Sequence, residues 1–171
     1  MRVQRIRDRG TVAHRRDADN LLERPGDCVL VERGVPRSLV ILCPDGCGDT
    51  LTINLDRRTA KAWRFFRRRN QVSLFPSVWR DTGCGSHFII WNHSIIWCDL
   101  IERPQVAMEG EATLAQRILA VVGFEWRDFT AVADELDEVH WDVLHVSRRL
   151  AGRGGRLVEG AQELKGHFKR A

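Results

Sequence analysis

The chain has 171 residues, of which 43% are hydrophobic and 29% charged, which is enough apolar material for a packed core and too much for a wholly disordered chain. No apolar run approaches the roughly 18 residues that span a bilayer, and the basic N-terminus lacks the apolar stretch of a secretory signal. The sequence therefore predicts a cytoplasmic protein with no membrane contact, in one domain or two small ones. In a reducing compartment its five cysteines read as metal ligands or reactive thiols rather than disulfides. The net charge of +4 is uneven: residues 1–103 carry 18 Lys/Arg against 12 Asp/Glu, and residues 104–171 carry 9 against 11. A basic front half can attract nucleic acid or an acidic protein, and it can equally be a solvated face.

Residues 1–20 mix arginines with little apolar periodicity and read as a basic arm or a short edge strand. Short β-like runs follow Pro25 and Gly26: Cys28 to Val31, Ser38 to Leu42, Thr50 to Leu55, Ala62 to Phe66, Val72 to Phe75, His87 to Trp91 and Ser94 to Cys98. Each is bounded by turn-forming residues, as in a meander. If Asn92-His93 is a two-residue turn, Phe88 faces Trp97 and His87 faces Cys98. The aromatics of this region, Trp63, Phe65, Phe75, Trp79, Phe88, Trp91 and Trp97, read as core rather than as a base-stacking platform.

The strand pattern stops near Arg103-Pro104, which is the predicted domain boundary. Leu114, Ile118, Leu119, Val121 and Val122 form a stripe at helical spacing. A second helix is predicted from an N-cap at Thr130 to Leu136, and a third from His140 to Leu150, burying Leu144 and Trp141 and stopping at Gly152. Gly154-Gly155 predicts a hairpin turn before a short strand. The expected fold class is α+β, with a β-rich metal-binding domain over residues 21–103 followed by a winged helix-turn-helix-like domain over residues 104–171. In such a fold Arg148, Arg149, Arg153 and Arg156 would contact DNA phosphates, but the acidic Asp134, Glu135, Asp137, Glu138 and Asp142 favour a protein partner.

Cys43-Pro-Asp-Gly-Cys47 and Cys84-Gly-Ser-His87 are two Gly-flanked turns, each with a pair of ligand-type residues. Three sulfurs and an imidazole suit a tetrahedral Zn²⁺ and suit an iron–sulfur cluster less well. Cys43, Cys47, Cys84 and His87 are the predicted metal ligands. Cys98, expected beside His87, is a spare ligand, a thiol paired with the imidazole, or a small core residue. Four protein ligands would close the site, whereas catalysis needs an open position. Ser86 and Cys98 are the candidate nucleophiles, with Gly85 freeing a backbone amide for an oxyanion, and Asp45 and Asp49 are the nearest candidate bases.

The order Leu42-Cys43-x-x-Gly46-Cys47-Gly48, Trp63, Leu74-x-Pro76-Ser77, Cys84-x-Ser86-His87-Phe88-x-Ile90 and Ile96-Trp97 resembles a bacterial zinc-knuckle family of unknown function over residues 25–100. Its members often have a further cysteine where this chain has Asp45. Some are encoded beside ubiquitin-like proteins and E1-like and E2-like enzymes in phage-defence islands. The resemblance implies a zinc protein of such a pathway, with those proteins as partners and with peptidase activity that processes or removes the modifier. The alternative is a non-catalytic structural-zinc module that binds a protein or DNA through its C-terminal domain.

Overall fold

The structure is a computed structural model and describes residues 1–59, 61–99 and 110–171. Contacts divide the chain into two compact units, Met1–Pro104 and Gln105–Ala171. The boundary expected at Arg103-Pro104 lies outside the described residues. No helix among the described residues is long and apolar enough to cross a membrane.

The first unit is β-rich. Its elements are β1 (Arg7–Val12), α1 (Arg15–Ala18), β2 (Asp27–Arg33), β3 (Val35–Leu42), β4 (Thr50–Asn54), β5 (Arg64–Arg68), β6 (Gln71–Phe75), β7 (Val78–Trp79), β8 (His87–Trp91) and β9 (Ser94–Trp97). They form a four-stranded sheet β1-β2-β3-β4, a β5-β6 hairpin and a three-stranded sheet β7-β8-β9. All seven expected strands are present. The front of the chain takes the edge-strand form, with β1 pairing parallel to β2 from Arg7↔Asp27 to Val12↔Val31.

Strand β2 shows why the unit folds as it does. Its run Asp27-Cys-Val-Leu-Val31 is buried throughout, the pattern of a strand covered on both faces. Cys28 and Leu30 face the main core with Leu39, Ile41, Val72, Leu74, Phe88, Ile90, Ile95 and Trp97. Val29 and Val31 pack on the other side with Val40 and Ala18, and Val12, Leu21 and Leu22 lie against them. The β8-β9 hairpin has the predicted register, from Trp91↔Ser94 to Phe88↔Trp97, and Cys98 N–H continues the ladder by donating to His87 O at 2.9 Å. Asn92 and His93 both have positive φ, 48° and 62°, as a two-residue hairpin turn of the primed type demands. Most of the aromatics are core residues, and Phe88 and Trp97 pack with ring centroids 5.6 Å apart. Trp79 departs from that expectation: it is 70% exposed.

The second unit contains α2 (Glu111–Val121), β10 (Arg127–Asp128), α3 (Phe129–Leu136), α4 (His140–Leu150), β11 (Leu157–Glu159) and β12 (His167–Arg170), with sheet order β10-β12-β11. Three details differ from expectation. Asp128, not Thr130, caps α3: its carboxylate accepts from Thr130 N at 2.8 Å, and an aspartate two residues earlier is the better acceptor for the exposed amide. The buried face of α4 is His140, Val143, Val146 and Ser147, with Leu144 and Trp141 only half-buried. Gly154-Gly155 does not close a hairpin. The strand after it, β11, pairs with β12 across an intervening 3-10 turn at Gln162–Leu164.

Candidate functional site

The β7-β8 ladder organises the chemistry of the first unit. Val78 pairs with Phe88 and Trp79 with His87, and beyond the strand ends Arg80 N–H donates to Ser86 O at 2.9 Å. Side chains alternate between faces along a strand, so the opposed residues Arg80 and Ser86 lie on one face, and Trp79 and His87 on the other.

On the Arg80 and Ser86 face lie the cysteines. Cys43 follows β3 and is fixed by its N–H bond to Asp49 O at 2.8 Å, while Gly46 N–H returns to Cys43 O at 3.1 Å and closes the knuckle. Cys84 sits between Gly83 and Gly85, both at positive φ, 65° and 63°. A side chain at Gly83 would also collide with the Arg80 guanidinium, 2.7 Å from an ideal Cβ. The sulfurs of Cys43, Cys47 and Cys84 lie within 4.8 Å of one another and could hold a metal ion. Zinc at about 2.3 Å from each sulfur in a tetrahedron sets sulfur–sulfur edges of roughly 3.8 Å. The Cys43–Cys84 separation is 3.7 Å.

The surroundings of the cluster treat Cys84 and Cys43 differently. Arg80 Nη1 is 3.4 Å from Cys84 Sγ, 3.5 Å from Cys47 Sγ and 2.8 Å from Asp49 Oδ2. Ser86 is 1% exposed, and its Oγ lies 3.3 Å from Cys84 Sγ and 3.7 Å from Cys43 Sγ. Burial opposes ionisation of Cys84, but hydrogen bonds from the Ser86 hydroxyl and amide and from the neighbouring thiols outweigh it and hold Cys84 at about 7. Burial dominates at Cys43 and raises it to about 11.

His87 does not join this cluster. Its Nε2 lies 2.9 Å from Ser77 Oγ. The reason is the alternation just described: Ser86 faces the sulfurs, so the next residue of an extended strand faces away from them. Ser77 precedes Trp79 by two residues and so shares its face, diagonal to His87 across the ladder. Trp63 Nε1–H donates to Ser77 O at 3.2 Å and fixes that backbone, and the Trp79 ring lies 5.9 Å from the imidazole.

The other sequence candidates have different settings. Ser86 is buried against the sulfurs. Asp45 accepts from Arg2 Nε at 3.0 Å, and Asp49 is engaged by Arg80. Cys98 is half-buried beside His87 in the ladder, and Cys28 is buried in the core with its thiol pushed far up by desolvation. None of the five cysteines is in a disulfide. In the second unit, Arg148 forms a two-pronged ion pair with Glu159 and Arg149 pairs with Glu111, while Arg153 and Arg156 are exposed.

Sequence reasoning missed Ser77 as a chemical residue, although Pro76-Ser77 was part of the recognised pattern. The signal was its position, immediately before a strand whose partner begins at His87. No curated protein and no solved structure matches the chain. Residues 14–98, which hold Ser77, His87 and all three clustered cysteines, match the family model described as "Bacterial ubiquitination-like system serine protease (BubE)", and this match links the chain to bacterial ubiquitin-like conjugation.

Proposed function

We propose that the first unit is a serine peptidase of a ubiquitin-like conjugation system, with Ser77 as nucleophile and His87 as its base. The observation that carries this reading is the 2.9 Å contact between Ser77 Oγ and His87 Nε2. With the ring proton on Nδ1, Ser77 O–H donates to Nε2, which is the arrangement that activates a hydroxyl. Ser77 Oγ attacks the scissile carbonyl and its proton passes to His87 Nε2. The tetrahedral adduct collapses as His87 returns the proton to the leaving amine, giving an acyl-enzyme. Water, deprotonated by the same imidazole, then releases the acid and restores Ser77. The bond cut would be the peptide or isopeptide bond that follows the modifier.

Cys43, Cys47 and Cys84 would hold Zn²⁺ with the fourth position left to a ligand outside this cluster. We assign the ion a structural role because the Ser77–His87 pair lies on the other face of the ladder; it would tie the knuckle after β3 to the turn before β8 and supply folding energy. Arg80 and Ser86 hydrogen-bond its sulfurs and so hold the face of the ladder opposite the catalytic pair. The second unit's three helices and β10-β12-β11 sheet support a winged-helix reading. With Arg148 and Arg149 already paired to carboxylates, a protein partner such as the modifier or an E1-like or E2-like enzyme suits that unit better than DNA.

The test is reaction of the purified full chain with an alkyl fluorophosphonate, read by intact mass and peptide mapping. Single-site labelling at Ser77 that is absent in Ser77→Ala supports the reading. Labelling at another serine, or none, refutes it.

A further inference from the structure

Strand β7 is the outermost strand of its sheet, and the hydrogen-bond phase of its ladder shows which way its backbone points. Arg80 N–H donates to Ser86 O, so Arg80↔Ser86 is a hydrogen-bonded pair, and such pairs alternate along an antiparallel ladder. Trp79↔His87 is therefore a non-hydrogen-bonded pair. The partner strand agrees: His87 directs its carbonyl to Cys98 N–H on the β9 side, away from β7. The N–H and C=O of Trp79 thus point outward from the sheet. The residue as a whole is 70% exposed, and its indole stands against the His87 ring. One residue combines an outward donor and acceptor, on an edge that no strand pairs among the described residues, with an open aromatic surface, two residues after Ser77.

We propose that this edge receives the substrate, and that Trp79 is a substrate-binding and specificity-determining residue. An extended peptide segment exchanges two backbone hydrogen bonds with Trp79 and adds to the sheet as an outer strand, in the manner of β-augmentation. Its side chain on the Ser77 and His87 face lies on the indole. The occupant is an extended polypeptide segment rather than a folded surface or a nucleic acid. A strand lying along Trp79 continues past Ser77, where the outward carbonyl is already held by Trp63, so backbone pairing ends at the nucleophile and leaves the scissile carbonyl there. The proposal rests on the Ser77–His87 reading and adds to it the position and conformation of the substrate.

The experiment measures protection of Ser77 from an alkyl fluorophosphonate by a tetrapeptide aldehyde mixture randomised at every position, with butyraldehyde as the small-aldehyde control. The alkyl probe reads the catalytic pair alone, and the peptide aldehydes read the edge. Trp79→Ala removes the indole, and Trp79→Pro removes in addition the outward N–H, a change that an edge strand tolerates where that N–H faces outward. Because Trp79 stands against the His87 ring, protection of each variant is read relative to that variant's own alkyl labelling rate, and on that scale Trp79→Pro should need about tenfold more mixture than Trp79→Ala, as loss of backbone pairing predicts. On the parent chain, a mixture N-methylated along its backbone should protect no better than butyraldehyde, which reads the pairing without any change to the protein. Equal protection of the two variants, or full potency of the N-methylated mixture, overturns the edge. Absence of alkyl labelling at Ser77 in the parent chain overturns the catalytic pair and the edge with it.

Discussion

The two faces of one short ladder carry different chemistry. Arg80 and Ser86 look toward three sulfurs, while one residue along on each strand His87 meets Ser77 and Trp79 stands against the His87 ring. A shift of a single residue in a β-strand carries a side chain to the opposite face, so on the proposed reading four consecutive residues, Cys84-Gly-Ser-His87, would serve a metal knuckle and a catalytic pair without either intruding on the other. The comparison teaches that ligand-type residues close in sequence need not share a site, because strand geometry separates neighbours and joins distant residues.

The sharpest way to break the comparison is Ser77→Ala. Peptidase turnover and fluorophosphonate labelling should fall by about a thousandfold or more. Metal content should not change, and the melting temperature should stay within about 2 °C, since Ser77 fills no core position. Both readouts come from the same preparation.

Cys84→Ala attacks the other face. The chain should lose its bound metal, measured by elemental analysis, and the melting transition of the first unit should fall by on the order of 10 °C. A chelator added to the parent chain should do the same. If the metal-free chain melts as the parent does, the sulfurs hold nothing of structural consequence.

Arg80→Ala probes the link between faces more gently. Loss of its N–H contacts to Cys47 and Cys84 should weaken metal affinity by about tenfold in a chelator competition, the effect expected of a group that orients the ligands from outside. Ser77 labelling should be almost unchanged.

The smallest expected effect is acid sensitivity at Asp27. Burial alone would raise its pKa, but Arg7 and the amides of Arg24 and Glu23 outweigh burial and hold the carboxyl below the ordinary range. A depressed folded-state pKa means that its stabilisation is complete above the ordinary carboxylate range and disappears as pH falls through the folded value. Asp27→Asn should lower stability at pH 7 by about 1–3 kcal/mol in a denaturant melt, and the difference should shrink on acidification.

Much of the first unit was legible because its signals are local. The Asn92-His93 turn set the β8-β9 register, and Gly-flanked cysteines marked both knuckles. What escaped was non-local or too short for a pattern. Strand β1 pairs parallel to β2 across a helical crossover, and β7 has two residues, too few to show alternation, so nothing local placed Ser77 beside His87. The reading of His87 as a ligand rested on residue type, Gly-flanked spacing and the family pattern, none of which records which face of a strand each residue occupies. In the second unit the helices were legible from their apolar stripes, whereas β11 finds its partner ten residues downstream, beyond the reach of the glycine pair that precedes it.

The central claim is that His87 serves Ser77 and not the metal. The most direct test is His87→Ala, with metal stoichiometry and Ser77 labelling measured on one sample. The account predicts undiminished metal with labelling reduced by about a thousandfold. Loss of the metal from this variant would contradict it and return His87 to the ligand set.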